Sequence, residues 1–175
     1  MRMSIFSDSK GATFPCRRYM PMNKTEELIE EAEAHGAEVI DWKFQTDRIK
    51  GLYADGVIAM SKDIDTSAER ACVLAEEIGH HLTASGGIID QTDTSSRKQE
   101  LKGRIWAYNR LIGLTGIVNA YRAGCRSRYE IAQSLEVTET MLQDAVDHYR
   151  EKYGLCTQVD NYTIYFEPLG VMEII

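Results

Sequence analysis

The sequence predicts a mainly helical α+β protein, and three observations indicate this class. Of the 175 residues, 43% are hydrophobic and 27% are charged, as in ordinary globular domains. Several segments have the apolar spacing of amphipathic helices, bounded by capping and stop residues. Two stretches, 49–60 and 157–175, have β-forming runs around turn residues, which is typical of hairpins.

The N-terminal half contains two well-marked helices. Residues 1–22 hold prolines, glycine and serines without periodicity, and we expect an irregular lead-in there. Asn23 is a suitable cap for the first helix, and Glu26 stands at capping-box spacing. Thr66 and Glu69 repeat this pattern before a second helix that should reach about residue 85.

Between these helices, Asp55-Gly56 separates two β-forming runs, so 49–60 should be a hairpin. After the second helix we expect a polar loop at 88–96, helices at 97–113, 116–123, 129–135 and 138–153, and a terminal hairpin. The chain is therefore divided into the lead-in 1–22, a core unit 23–113, a helical extension 114–154 and a tail 155–175.

Charge and cysteine content narrow the function. The net charge of −7 argues against general affinity for nucleic acid or anionic membranes, because both need a basic surface. No apolar run approaches the ~20 residues of a membrane span, and we see no signal peptide. We therefore expect a cytoplasmic protein whose four cysteines are free thiols in a reducing compartment.

The second helix carries the candidate chemistry. At ~100° per residue, one stripe of this helix is apolar: Ala71, Leu74, Ala75, Ile78 and Leu82. Glu76 and His80 lie four residues apart, almost opposite that stripe, and Glu77 lies beside them. Two ligands at this spacing can hold one metal, while the acid after the first ligand activates water.

This pattern differs from HExxH because Glu76 stands where the first histidine would be. A carboxylate binds zinc at a similar distance but is a harder ligand, so the site would take one zinc or manganese ion. The alternative is an ordinary solvated helix face, since the spacing alone is common. Gly79 costs ~1 kcal/mol of helix propensity, which a close approach to a neighbour or substrate would explain.

The sequence resembles the ImmA/IrrE family of zincin-like metallopeptidases, and more closely its branch in prophages of Gram-positive bacteria. The likeness runs from about residue 23 to residue 154. The residues that carry it fall in four blocks: Leu74-Ala75-Glu76-Glu77-Ile78-Gly79-His80-His81-Leu82-Thr83, Ile89-Asp90-Gln91, Arg97-Lys98-Gln99-Glu100-Leu101 with Arg104, Trp106 and Ala107, and Tyr129-Glu130-Ile131-Ala132 to Val137-Thr138.

The resemblance implies a zincin-like unit with a small sheet and an active-site helix, followed by further helices. It implies cleavage of helix-turn-helix repressors of phages and mobile elements. Carried over, Glu77 would be the general base, His80 a metal ligand, and Glu76 would take the place of the family's first histidine. The family's third ligand is an acid on the next helix, for which Glu100 is the nearest fit and Asp90 the runner-up.

Two of these residues have alternative interpretations. Glu100 could instead form a surface pair with Arg104, four residues on, while small residues at Gly103 and Ala107 would let this helix approach a neighbour closely. His81 points ~100° away from His80, so we expect it to support the ligands or to contact substrate; its alternative is a capping or core role.

The segment 127–153 has the look of a helix-turn-helix, with Thr138 as a cap for the second helix. That helix is acidic, so packing or protein docking is favoured over DNA binding. The first hypothesis is therefore a metal-dependent endopeptidase acting on a protein regulator, with no membrane partner. The alternatives are a catalytically inactive interaction module and, third, a DNA-binding protein.

Overall fold

The structure is a computed structural model that describes residues 23–84 and 93–174. Within these residues, the mainly helical α+β class is confirmed by six helices and six strands. None of the described helices is long and apolar enough to cross a membrane. In chain order the elements are α1 (Lys24–Ala34), β1 (Glu38–Trp42), β2 (Gly51–Ala54), β3 (Val57–Ser61), α2 (Ser67–Ala84), α3 (Asp93–Leu111), α4 (Gly113–Arg122), α5 (Arg128–Leu135), α6 (Glu139–Tyr153), β4 (Cys156–Val159), β5 (Tyr162–Phe166) and β6 (Leu169–Glu173).

The predicted starts of α1, α2 and α6 are confirmed. The Asn23 side chain accepts from the Glu26 amide, and the Glu26 carboxylate accepts from the Asn23 amide, which completes the capping box of α1. Thr66 Oγ1 accepts from the Glu69 amide at 3.1 Å at the start of α2. Thr138 caps α6 in the same way. Each bond satisfies an amide that the helix itself leaves without an acceptor.

Two predicted boundaries are wrong. The backbone of α3 is already helical from Asp93, inside the predicted loop 88–96. The short polar residues there favour loops, but they also favour helix starts. The fourth helix begins at Gly113 rather than residue 116, because the positive φ of 55° at Gly113 turns the chain directly from α3 into α4. The lead-in 1–22 and Asp90 lie outside the described residues.

The first sheet has the order β1-β3-β2, with β1 parallel and β2 antiparallel to β3. The predicted hairpin is confirmed, since Asp55 and Gly56 both take positive φ between β2 and β3, as a tight two-residue turn requires. Strand β2 is an edge strand of this sheet, and it packs against α2. The sheet edge therefore lies beside the helix that carries the candidate site.

A second sheet, of order β4-β5-β6, follows the helices. The predicted terminal hairpin is confirmed as β5 and β6, whereas β4 (Cys156–Val159) is an additional strand that the sequence analysis missed. Ile164 and Phe166 of β5 are buried in the core, where β5 packs against α4 and α6. The C-terminal sheet therefore packs against the helical part of the protein, on α4 and α6.

Candidate active site

Helix α2 presents three different faces to its surroundings. The predicted apolar stripe is confirmed as core: Ala71, Leu74, Ala75 and Ile78 are at most 1% exposed. A second face, with Glu76 and His80, lies toward α3. A third face, with Val73, Glu77 and His81 at four-residue spacing, lies toward the edge strand β2.

The α3-facing side brings His80 and Glu100 together. His80 Nε2 lies 3.4 Å from Glu100 Oε2, which joins two residues that are twenty positions apart in sequence. Arg104 Nε donates to the other oxygen of Glu100 at 3.1 Å. Glu100 is half exposed in this arrangement. Both interpretations of Glu100 therefore coexist, because it faces His80 and also forms the surface pair.

A close crossing of α2 and α3 makes this contact possible. A Cβ atom on Gly79 would lie 2.3 Å from the Gly103 carbonyl oxygen, so the two backbones are in direct contact. A Cβ on Gly103 would lie 2.7 Å from His80 Nδ1. Real Cβ contacts are not this short, and only glycine fits at either position. The expected close approach at Gly79 and Gly103 is confirmed.

The β2-facing side encloses Glu77. A Cβ on Gly51 would lie 2.9 Å from Glu77 Oε1 and 2.6 Å from Val73 Cγ1, so the strand backbone lies directly on the helix. The backbone amide of Tyr53 lies close enough to the Glu77 carboxylate to lower its pKa by hydrogen bonding. The sequence analysis missed Gly51 and Tyr53. A glycine at the start of a strand indicates close backbone approach and could have identified the first of them.

Burial changes the acidity of both neighbouring carboxylates. Desolvation raises the pKa of Glu77 to about 7, against the opposing effect of the Tyr53 amide bond, and the charges of Glu76 and Glu100 raise it further. Desolvation also raises the pKa of Glu76, where the Arg104 charge opposes the rise and the Glu100 charge adds to it. Glu77 is therefore poised near neutral pH, where a general base is most effective.

His81 lies in the interior of the protein. It is 9% exposed, and its ring packs edge-on against the Tyr53 ring with centroids 5.1 Å apart. Nδ1 lies 3.1 Å from the Tyr53 hydroxyl, and Nε2 lies 2.9 Å from the His35 carbonyl oxygen. This buried position corresponds to the core role that the sequence analysis gave as one alternative for His81, and it leaves support of the ligands as a prediction.

A divalent ion in a protein requires several nitrogen, oxygen or sulfur donors that face one another. Imidazole and carboxylate groups are suitable donors, and two of them, His80 and Glu100, already face each other. The negative charge of Glu100 contributes to the raised pKa of Glu76, and a bound cation would offset this repulsion. Within residues 23–84 and 93–174, however, no three such side chains are arranged to hold a metal ion. The donor chemistry fits an ion, but the side chains as placed do not close around one.

An open cleft of about 330 Å³ extends from Glu76 along α2. Its opposite wall is formed by the start of α6, including Thr138 and Asp144. Cys72 also lines it, and the Thr138 amide donates to Cys72 Sγ at 3.5 Å. Desolvation raises the pKa of the Cys72 thiol. The second helix of the helix-turn-helix-like segment is therefore docked against α2, beside the candidate site.

A helix with paired carboxylates and an imidazole, lying beside the edge strand of a small sheet, is the arrangement expected of a metallopeptidase-like protein. The model of the Peptidase_M78 family, described as the IrrE N-terminal-like domain, matches residues 32–146, well over half of the chain. The chain belongs to this family, which confirms the ImmA/IrrE resemblance. No curated protein and no solved structure matches the chain.

Proposed function

We propose that this chain is a metal-dependent endopeptidase that cleaves a protein regulator of a prophage or mobile element, such as a helix-turn-helix repressor. Membership of a peptidase family supports the reaction class, and the resemblance to the prophage branch supports the substrate class. The observation that carries the proposal is the position of Glu77. It is a desolvated carboxylate with a pKa of about 7, beside the contact between His80 and Glu100.

In this proposal Glu76, His80 and Glu100 would hold one divalent ion, zinc or manganese. When bound, such an ion acts as a Lewis acid and makes water a stronger nucleophile. Glu100 would have to turn from Arg104 toward the ion, which its half-exposed position allows. Asp90 remains the alternative third ligand and lies outside the described residues.

Glu77 would take the proton from the attacking water and pass it to the leaving amine. A carboxylate with a pKa near 7 can both accept and return a proton at neutral pH. The Tyr53 amide holds this carboxylate at the sheet edge, and Gly51 leaves space for it. The adjoining cleft, with α6 as its far wall, would receive substrate residues next to the cleaved bond.

The first test separates the base from the ligands. We expect purified protein to hold about one divalent ion per chain and His80→Ala to lose it. We expect Glu77→Gln to keep the ion and to abolish cleavage of a co-expressed helix-turn-helix repressor, because only the proton acceptor is lost. Elemental analysis, and the Tm shift on adding zinc or manganese, measure occupancy, since a ligand of the folded state raises its stability.

A second candidate function is an inactive interaction module with the same fold. Two observations favour it: Glu76 replaces the histidine of HExxH, and Arg104 already binds Glu100. In that case the repressor would bind without being cut. Equal behaviour of wild type and Glu77→Gln, together with no metal and no Tm shift, would decide for the module.

A further inference from the structure

The buried His81 joins two elements that flank the active helix. Its Nε2 faces the carbonyl oxygen of His35 at the end of α1, and its Nδ1 faces the hydroxyl of Tyr53 on β2. A carbonyl oxygen can only accept, so Nε2 carries the proton of this bond. In the neutral ring Nδ1 is then the acceptor, and the Tyr53 hydroxyl donates to it. The hydrogen-bond partners thus specify one tautomer of the ring.

Tyr53 is held at a second point by the active helix. In the β2–β3 pair, Ser61 donates to the Lys50 carbonyl at 2.8 Å, which marks Lys50 as a residue that faces β3. Bonding alternates along an antiparallel strand, so Gly51 and Tyr53 direct their backbone groups away from β3. The outward Tyr53 amide is the group that donates to Glu77. One residue therefore contacts His81 by its side chain and Glu77 by its backbone.

We propose that His81 is a positioning residue that fixes the edge strand β2 against α2, so that the Tyr53 amide stays bonded to Glu77. An edge strand is bonded along one side only and can move away from the helix beside it. His81 opposes this movement because its other nitrogen is anchored to α1, a separate element. The consequence for Glu77 rests on the proposed function, whereas the mechanical link between His81 and β2 does not.

The test uses substitutions that remove individual hydrogen bonds between His35, His81, Tyr53 and Glu77. His81→Leu removes the bonds of the ring to the Tyr53 hydroxyl and to the His35 carbonyl, and Tyr53→Phe removes the hydroxyl but keeps the ring and the backbone amide. His81→Gln retains a side-chain amide that can donate to the His35 carbonyl. His35→Ala is the matched control, because it changes the side chain and leaves the accepting carbonyl in place.

The readout is the hydrogen-exchange rate of the Tyr53 amide, measured by NMR on the full chain without added metal. We expect this rate to rise about tenfold in His81→Leu, less in Tyr53→Phe, and to stay unchanged in His35→Ala. His81→Gln should restore most of the protection. Amides in the core of α2, such as that of Ile78, should exchange as in wild type, which separates a local release of β2 from general destabilisation.

A double substitution tests whether His81 acts through the bond to Glu77. Glu77→Ala removes the acceptor, so adding His81→Leu should speed Tyr53 exchange little further if both hold the same strand. The proposal would be overturned if His81→Leu left the Tyr53 exchange rate unchanged, or raised the rates at Tyr53 and Ile78 equally. It would also be overturned if the effects of the two substitutions were fully additive. If the protein proved not to cleave its partner, these exchange results would still hold. Failure of the proposed function can therefore be told apart from failure of the His81 proposal.

Discussion

The two polar faces of helix α2 are built in different ways, although they lie side by side. On the face toward β2, Glu77 accepts from a backbone amide and His81 is buried between a hydroxyl and a carbonyl. On the face toward α3, His80 meets the half-exposed Glu100, which also accepts from the guanidinium of Arg104, and the charges of both residues act on Glu76. Backbone and buried partners define the first face, and half-exposed charged side chains define the second.

This difference matches the two roles proposed for the faces. A general base works best when its position is fixed, and the β2 side fixes Glu77 through the strand backbone. The proposed ligands on the α3 side do not yet surround an ion, and Glu100 and its partner Arg104 are both half exposed, which gives Glu100 room to turn toward one. We therefore expect the proposed base, Glu77, to be held rigidly and the proposed ligand Glu100 to be able to move. Substitutions on each face can test these two expectations.

The largest expected effect comes from the crossing of α2 and α3, on which the α3-facing side depends. Gly79→Ala would place a methyl group 2.3 Å from the backbone oxygen of Gly103, so α2 and α3 must separate. We expect a loss of about 3 kcal/mol, the upper end of overpacking costs, and a Tm about 10 °C lower. Calorimetry or thermal unfolding measures both.

The control is Gly116→Ala in α4. Its new methyl group would meet only the Leu135 side chain, at 3.3 Å, and alanine favours the helix by ~1 kcal/mol. Stability should therefore change little or rise. A Gly79→Ala protein as stable as this control would show that the crossing is not as tight as described, and the contact between His80 and Glu100 would lose its basis.

The next effect concerns the adaptable face. If Glu100 is the third ligand, Glu100→Ala should weaken zinc binding by at least ~100-fold, since even substitutions behind the ligands cost up to that much. Asp90→Ala should leave affinity unchanged. Competition with a chromogenic chelator measures both constants. Retention of zinc by the first variant and its loss in the second would make Asp90 the third ligand.

The features predicted from sequence are those decided within a few residues. The caps at Asn23, Thr66 and Thr138 and the hairpin turn at Asp55-Gly56 follow from local hydrogen bonds and backbone preference, and all are confirmed. The apolar stripe of α2 follows from helical periodicity and is also confirmed. Local rules likewise identified Glu76, Glu77 and His80 as candidates, without showing their partners.

What the sequence could not show depends on contacts between distant segments. The Tyr53 amide reaches Glu77 only because β2 is the edge strand beside α2, and strand order is not a local property. The proximity of His80 to Glu100 depends on the crossing of α2 and α3 at Gly79 and Gly103. The small residues in the sequence indicated a close approach, but not which residues of the two helices would meet. Strand β4 was missed because its pairing with β5 defines it more than its own composition does.

A smaller effect should appear as pH dependence on the fixed face. The folded-state pKa of Glu77 is raised from 4.5 to about 7, so its contribution to stability is fully present below about pH 4.5 and is lost as pH rises through 7. A rise of this size corresponds to at most ~3 kcal/mol, and solvent screening reduces it to roughly 2 kcal/mol.

Urea unfolding at pH 5 and pH 8, with chelator present, measures this contribution. Between these two values, wild type should lose roughly 2 kcal/mol more stability than Glu77→Gln, because glutamine does not titrate. Parallel pH profiles for the two proteins would mean that Glu77 is more hydrated than its contacts with Gly51 and Tyr53 indicate. The β2-facing side of α2 would then be no more enclosed than the α3-facing side.

The smallest effect compares one bond from each face directly. Arg104→Gln removes an exposed ion pair with Glu100, and such pairs contribute well under ~1 kcal/mol. Tyr53→Phe removes a hydroxyl that is bonded to the buried His81, for which we expect about 1 kcal/mol. In 1 M NaCl the cost of the first substitution should vanish, because salt screens exposed charges, while that of the second should persist. Urea unfolding with and without the salt decides this: equal salt sensitivity of the two variants would show that both faces are held by surface charge.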